Sequence, residues 1–393
     1  MATYIVPDYY DRFQCKCGDC RRTCCSGWNI SISMQEYYAL LSADGSDDLR
    51  RRLSCALEII SDDRERYAAF VRTQEGQCPL LADNGLCALQ RECGEGLMPA
   101  VCRMYPRAVR TDYACEIAFS SSCEAVCELL LGDIAPLTFV RRELPCGQAP
   151  ERPHDMQAMH FLNNLRITCG SVLEDRALPL ADRIAHLHAL LRELHRIEQN
   201  RGMRELCRAA EELSKRRFPR LRIPQADWVH LAAPLAIAGA FIPESPSLSR
   251  YWDTILSALH LPADRAEWTE EKFILAERRY ALLKGRFSDM HPNWQKQFER
   301  LMVNYAFYTR LPFSDRLSGL EDEALALAAC YALVRFVAVT CTVQDASPFA
   351  LVDAVSAAMR LVEHSGFDRR CVALLRRGHF DDEERLVDML LVV

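Results

Sequence analysis

The sequence has few of the features that would place a protein in a membrane or outside the cell. Residues 1–14 contain neither a basic segment nor an apolar segment, which argues against a secretory signal. No stretch approaches about 20 uninterrupted apolar residues, the length that a membrane-spanning helix needs. The two longest apolar runs, 229–242 and 324–341, contain Pro234 and Arg335 and are interpreted as buried helices. We therefore expect a cytoplasmic protein that does not associate with membranes.

An excess of positive charge is also missing. The chain has 48 basic and 54 acidic residues, a net charge of −6, which argues against a protein that binds nucleic acid through its phosphates. Hydrophobic residues make up 50% of the sequence and charged residues 26%, so disordered and collagen-like chains are excluded. A length of 393 residues predicts two or three domains.

Several common catalytic motifs are absent from the sequence. The segment Gly94-Glu95-Gly96 lacks the third glycine of a dinucleotide-binding fingerprint, and no convincing strand precedes it. The sequence contains no phosphate-binding P-loop, no G-x-S-x-G and no H-E-x-x-H. These absences leave cysteine as the residue type that carries the chemical signal.

Cysteine is abundant and unevenly distributed. Fourteen of the 19 cysteines lie in the first 146 residues. The odd total prevents complete disulfide pairing within one chain. In a reducing compartment, clustered thiols usually bind a metal or take part in catalysis. Cys15, Cys55 and Cys146 could equally be buried apolar residues, and the five cysteines from Cys169 onward are interpreted as residues without a functional role.

The spacing of the cysteines indicates a metal site but does not select the metal. Cys17 and Cys20 form one C-x2-C pair, whereas a zinc finger needs two. The pairs Cys20–Cys24 and Cys123–Cys127 begin a C-x3-C-x2-C pattern that neither completes. Ferredoxin spacings are missing too. Zinc and iron–sulfur clusters therefore both remain open on spacing alone.

The distribution of cysteine and of helical periodicity predicts two domains in a mainly α protein. Residues 1–146 are expected to form an irregular, cysteine-rich metal-binding domain of short elements. Residues 147–158 contain prolines and a glycine and are predicted to be a connector. Residues 159–393 are expected to form an α-helical domain, because residues such as Ile184, Leu187, Leu191 and Leu194 follow helical spacing. We expect the active site in the cleft between the two domains.

Beyond these patterns, short motifs along most of the chain resemble the flagellin lysine N-methylase family. The cysteine block alone is also similar to a broader family of zinc- or iron-chelating cysteine-cluster proteins. The motifs that carry the first resemblance are Val6-Pro7-Asp8-Tyr9-Tyr10, Cys20-x3-Cys24-Cys25-Ser26-Gly27-Trp28, Cys78-Pro79-Leu80-Leu81, Asn84-Gly85-Leu86-Cys87, Cys102-Arg103-Met104-Tyr105-Pro106-Arg107, Ser122-Cys123-Glu124, Asn304-Tyr305, Arg310-Leu311-Pro312 and Glu363-His364.

This resemblance implies an enzyme that methylates lysine side chains of flagellin. It implies S-adenosylmethionine as the methyl donor and a [4Fe–4S] cluster as the metal, with zinc as the alternative. The matched positions that it implies as metal ligands are Cys20, Cys24, Cys25, Cys78, Cys87, Cys102 and Cys123. These exceed the four that such a cluster needs, so about three of them must have another role.

The chemistry of methyl transfer makes its own demands on the site. The attacking amine must be neutral, and only about one lysine in two thousand is neutral at pH 7 when its pKa is about 10.4. A desolvating pocket or a base must remove the proton. We predict His364, Glu363 and Tyr305 as catalytic residues, although the His364–Glu363 pair could instead join two helices.

Aromatic side chains are expected to bind the donor, because a ring face attracts a cationic sulfonium. Trp28, Tyr105 and Asn304 are the predicted donor-binding residues. Two functions from other classes compete with this prediction, a non-enzymatic metal chelator and an iron–sulfur redox protein. The 247 residues that follow residue 146 argue against a simple chelator.

Overall fold

The computed structural model describes residues 1–111, 114–145, 156–201, 203–213, 219–224, 229–314, 316–317 and 319–393, with the backbone alone for residues 156–160, 203–204, 207, 211 and 213. The mainly α prediction is confirmed, since the described residues form sixteen α-helices and only seven short strands. Cys146 and residues 147–155 of the predicted connector lie outside the described residues, and a helix begins at Met156.

The N-terminal part contains two small sheets and five short helices among its described residues. One sheet has the strand order β5-β6-β1-β7, and the other has the order β2-β4-β3. The strands are β1 Ala2–Pro7, β2 Ser31–Ile32, β3 Leu57–Ile59, β4 Ala68–Phe70, β5 Arg107–Arg110, β6 Glu116–Phe119 and β7 Phe139–Leu144. The helices are α1 Met34–Leu41, α2 Asp47–Ala56, α3 Ala88–Cys93, α4 Ala100–Met104 and α5 Glu124–Leu131.

The C-terminal part is built from helices that pack around a central one. Its helices are α6 Met156–Glu174, α7 Leu180–Arg201, α8 Met203–Leu213, α9 Ala232–Phe241, α10 Ser249–Leu259, α11 Glu270–Met290, α12 Trp294–Thr309, α13 Leu320–Thr342, α14 Ala350–His364, α15 Phe367–Arg377 and α16 Glu383–Val392. The periodic residues Ile184, Leu187, Leu191 and Leu194 all lie in α7 and are buried, as their spacing predicts.

Helix α13 is the central element of this helical part. Among the described residues it is the one helix long and apolar enough to cross a membrane, yet its most apolar window is completely buried inside the protein. Arg335 interrupts the apolar sequence and places its guanidinium 3.7 Å from the ring centre of Trp294 and 4.3 Å from that of Phe287. The prediction of a buried core helix is therefore confirmed.

Two hydrophobic cores hold the fold together. The smaller core lies between the β2-β4-β3 sheet and helices α1 to α3. The larger core joins β1, β6 and α5 to the C-terminal helices, and Val6 and Tyr9 are completely buried in it. The beginning of the chain thus packs directly on the helical part. The predicted division into residues 1–146 and 159–393 stays a prediction.

Candidate functional site

All seven predicted metal ligands line one cavity of about 440 Å³, here called the cysteine cavity. Cys15 and Cys17 also line it. The cysteines reach it from four segments of the N-terminal part: the loop after β1, the turn before α3, helix α4 and the residue before α5. The cysteines of the cavity are Cys15, Cys17, Cys20, Cys24, Cys25, Cys78, Cys87, Cys102 and Cys123.

Two close backbone approaches bring these segments together. The Cys78 amide donates to the Cys25 carbonyl at 2.7 Å. Gly18 lies against the turn that precedes Cys87, where a Cβ on Gly18 would be 2.8 Å from the Asn84 carbonyl oxygen. Gly85 has a φ of +76°, and a Cβ there would be 2.8 Å from the Gly18 oxygen. Both positions therefore require glycine if the two loops are to touch.

The chemistry of these donors suits a thiophilic metal, but their arrangement is not that of a preformed single-ion site. Within the described ranges, no group of three or more His, Cys, Asp or Glu residues is placed to hold a metal ion. Thiolates bound to one zinc ion at about 2.3 Å lie about 4 Å from each other. Thiols that are spread around one cavity suit an iron–sulfur cluster, which contains its own sulfide ions, better than they suit a single metal ion. The metal centre itself stays a prediction.

The thiols of the cysteine cavity differ in acidity. Burial raises the pKa of Cys102 to about 12, and that of Cys123 to about 11. Cys25 is the exception, because a hydrogen bond from the Cys24 thiol lowers its pKa to about 6, with help from Thr23 and two arginines. The surroundings of Cys25 thus favour its thiolate form, whereas burial opposes that form at Cys102 and Cys123.

A second cavity of about 890 Å³, here called the sheet–helix cavity, lies between the β2-β4-β3 sheet and the C-terminal helices. Ser31, Ala69 and Glu58 form one row across the sheet, and all three line this cavity. The helical side contributes Phe241, residues 244–247, and residues of α14 and α15 that include His364. Trp28 and Phe70 line both cavities, so the two sites share a wall.

Three predicted site residues meet at this shared wall. The rings of Trp28 and His364 stack with centres 4.4 Å apart, and Tyr105 lies 5.5 Å from Trp28. The Trp28 indole nitrogen donates to the Cys24 carbonyl at 2.8 Å. Burial, together with the charges of Arg360 and Arg316, lowers the pKa of His364 to about 3, which favours the neutral imidazole.

Glu363 is connected to His364 by a chain of hydroxyl groups. The buried Glu363 carboxylate accepts hydrogen bonds from the Ser120 hydroxyl and from the amides of Ser121 and Ser122, at 3.1 and 3.3 Å for the amides. The Ser120 and Ser122 hydroxyls are hydrogen-bonded, and Ser122 Oγ lies 2.8 Å from His364 Nε2. Tyr105 also bonds Ser122, at 3.0 Å. Burial raises the pKa of Glu363 to about 7.

An arginine that the sequence reasoning missed holds residues 22–28, here called the cysteine loop, against α14. The buried Arg360 donates from Nη1 to the carbonyls of Thr23 and Ser26, at 3.1 and 3.0 Å. Its Nη2 donates to the carbonyls of Arg22 and Ser122, at 3.1 and 3.2 Å. Arg360 lies one helical turn before Glu363 and His364, so the three side chains share one face of α14. This spacing could have identified Arg360 as a site residue from the sequence.

A second arginine missed by the sequence reasoning acts from the opposite side of the same loop. Arg72 donates from Nη1 to the Cys25 carbonyl at 2.9 Å and from Nη2 to the Trp28 carbonyl. The loop of residues 22–28 is thus held by one guanidinium from the sheet side and one from α14. Both charges also favour the Cys25 thiolate.

Asn304 and Tyr305 lie apart from the two cavities. Asn304 is completely buried in α12, where its Oδ1 accepts from the Tyr9 hydroxyl at 2.5 Å. Its Nδ2 donates to the Phe119 carbonyl and to Ser121 Oγ, both at 2.9 Å. Tyr305 is buried, and neither residue lines either cavity. Asn304 thus joins α12 to the end of β6 and to the loop after β1. The predicted roles of these two residues stay predictions.

Comparison with known proteins gives one family and several relatives. Residues 166–387 match the family model described as the FliB lysine N-methylase C-terminal domain. The chain is 27% identical over 135 residues to a lysine-N-methylase of Salmonella typhimurium, and 26% identical over 135 residues to one of Salmonella choleraesuis. It is 24% identical over 134 residues to the flagellar biosynthetic protein FliU of Salmonella muenchen.

These matches are partial. The aligned segment covers 33% of this chain and 33% of each lysine-N-methylase, and 78% of the FliU protein. No solved structure matches the chain.

Proposed function

Because this chain belongs to the FliB lysine N-methylase family, we propose that it transfers methyl groups to lysine side chains of flagellin. The family predicted from the short motifs is confirmed by the match over residues 166–387. Two similar proteins are named lysine-N-methylases and a third is named for flagellar biosynthesis, which supports a protein-lysine substrate associated with flagella. We also propose a cytoplasmic location, with which the burial of α13 agrees.

We place the donor S-adenosylmethionine in the sheet–helix cavity, which has the size range of small-molecule sites. When bound, this compound supplies an electrophilic methyl group on a sulfonium. The indole of Trp28 offers an aromatic face to that cation. Arg66 and Arg370 offer charges that suit the carboxylate of the donor.

We propose that the cysteine cavity holds the [4Fe–4S] cluster, with four of the seven matched cysteines as ligands. Such a cluster supplies a redox-active, Lewis-acidic centre when bound. The cysteine loop is fixed from two sides by Arg72 and Arg360, so its thiols are held at the wall shared with the donor cavity. Trp28 lines both cavities and would stand between the cluster and the donor.

The observation that carries the catalytic proposal is the hydrogen-bonded chain from His364 to Glu363. An incoming lysine must lose a proton before it can attack. His364, with a pKa of about 3, cannot retain that proton at neutral pH, whereas Glu363, with a pKa of about 7, can. The proton passes from the imidazole through the Ser122 and Ser120 hydroxyls to the Glu363 carboxylate. Each hydroxyl accepts one proton and releases another.

Methyl transfer to flagellin tests the proposal directly. Purified protein, methyl-labelled S-adenosylmethionine and unmodified flagellin are expected to give labelled lysines, detected by mass spectrometry of flagellin peptides. Ser122→Ala breaks the chain and should lower turnover roughly 10²-fold or more, with unchanged iron content. Ser171→Ala, on an exposed face of α6, is the matched control and should keep the wild-type rate.

Two outcomes would contradict the proposal. A protein that binds iron but neither S-adenosylmethionine nor flagellin would instead be a redox carrier. A normal rate in Ser122→Ala would remove the hydroxyl chain from the mechanism, whatever the identity of the substrate.

A further inference from the structure

Three large apolar side chains are exposed at the ends of the neighbouring strands β3 and β4. Ile59 is 52% exposed, Ile60 is 47% exposed and Val71 is 42% exposed. Ile59 and Ile60 lie where β3 leads into the polar turn of residues 61–66, whereas Val71 follows β4 and lies opposite Ala56 at the start of β3. Exposed apolar side chains grouped on one element often mark a binding surface.

The same ribbon offers an open backbone edge. Within the described part of the chain, β3 pairs with β4 on one side and with no strand on the other. The Ile60 amide donates to the Tyr67 carbonyl and the Val71 amide to the Ala56 carbonyl, at 2.9 and 2.8 Å. Because bonding alternates along an antiparallel strand, the backbone groups of Leu57 and Ile59 point away from β4.

This edge runs along the rim of the sheet–helix cavity. Glu58 and Ile60 alternate with Leu57 and Ile59 and turn their side chains into that cavity. A strand added beside Leu57–Ile59 would extend the sheet, and every second side chain of it would face the same cavity. Glu58 has no ion pair with any described residue, so its charge is available to a cationic side chain.

We propose that the open edge of β3 binds an extended segment of the protein substrate by strand addition and so directs the target lysine into the sheet–helix cavity. The inference rests on the proposed methylase function and specifies how its substrate is recognised. Ile59 and Ile60 contact apolar residues that flank the lysine, and Glu58 attracts its ammonium group. The backbone groups of this segment must be free of hydrogen bonds within flagellin itself. Unfolded or locally extended flagellin can therefore bind, whereas a folded helix cannot.

Ile59→Pro tests the edge without removing its pairing with β4. Proline has no amide hydrogen, and the Ile59 amide is not used toward β4. Loss of one or two intermolecular hydrogen bonds should raise the KM for unmodified flagellin roughly tenfold. The affinity for S-adenosylmethionine should stay unchanged. Ile59→Lys should act in the same direction, because it replaces the apolar contact with the residues that flank the lysine by a charged side chain. Ile167→Lys, at a 67% exposed position of α6, is the matched control and should keep the wild-type KM.

Hydrogen exchange of the unmodified protein gives a second readout that does not depend on a variant folding. Adding flagellin should slow exchange at the Leu57 and Ile59 amides. If flagellin is methylated but these amides remain unprotected and Ile59→Pro keeps its KM, strand addition is refuted and the methylase function stands. If the wild-type protein neither binds nor methylates flagellin, the proposed function fails and the inference fails with it.

Discussion

Removing the guanidinium of Arg360 should release the cysteine loop from α14. In Arg360→Met the side chain keeps about the same length, but the carbonyls of Thr23, Ser26, Arg22 and Ser122 lose this donor. Each charge-assisted hydrogen bond contributes roughly 1.5–3 kcal/mol, and the loop can relax to recover part of that loss. We therefore expect the free energy of unfolding to fall by about 3–5 kcal/mol.

The chemistry of arginine makes the conservative replacement informative. Arg360→Lys keeps the charge but concentrates three donors on one nitrogen, which cannot serve two separated pairs of carbonyls. The stability of Arg360→Lys should therefore lie between those of the wild type and Arg360→Met. The matched control is Arg370→Met on α15, where an exposed guanidinium lies 3.8 Å from Glu244. That change should alter stability by less than about 0.5 kcal/mol.

Urea unfolding and hydrogen exchange together measure the effect. Unfolding gives the change in free energy, and exchange of the amides of residues 22–28 shows whether the loop itself has become mobile. Iron content after reconstitution reports whether the cysteines still converge. If Arg360→Met unfolds within about 1 kcal/mol of the wild type and its loop exchanges normally, the role of Arg360 as the clamp of this loop is refuted.

The remaining predictions concern the pair on α14 and the thiols. The pKa of Glu363 is about 7 in the folded protein against an ordinary 4.5, so its favourable contribution is complete below pH 4.5 and is lost as the pH rises through 7. This contribution amounts to about 3 kcal/mol. The free energy of unfolding in urea, measured from pH 5 to 8, should depend less on pH in Glu363→Gln than in the wild type. An identical pH dependence would contradict the raised pKa of Glu363. His364→Ala should lower turnover by roughly 10²–10⁴ with iron content intact, whereas a helix-bracing role predicts a lower melting temperature and a normal rate. Cys102→Ser should reduce iron binding, whereas Cys169→Ser, in the core of α6, should not; equal iron in both variants would remove Cys102 from the ligands.

Patterns that depend on neighbouring residues in the sequence could be predicted well. Helix α7 follows its apolar periodicity, and α13 is apolar on every side because helices surround it. The seven matched cysteines also converge on one cavity, as their density suggested. These features are visible in the sequence because burial requires apolar residue types and a thiol site requires cysteine.

Features that depend on distant backbone pairing could not be predicted. Strand β1 pairs in parallel with β6 and antiparallel with β7, and no local signal specifies either partner. Arg360 escaped notice because its four acceptors are backbone carbonyls, which every residue possesses. Asn304 shows the converse problem, since a motif asparagine that closes a buried hydrogen-bond network looks the same in sequence as one that binds a ligand.

The clamp between the cysteine loop and α14 has a consequence for biosynthesis. Ser26 and its partner Arg360 are 334 positions apart in the chain. At a synthesis rate of roughly 5–20 residues per second, the loop leaves the ribosome roughly 17 to 67 seconds before its clamp is made. During that interval the loop can be held by Arg72 of the N-terminal part but not yet by α14. The loop that carries Cys24 and Cys25 therefore gains its second anchor only after most of the chain has been synthesised.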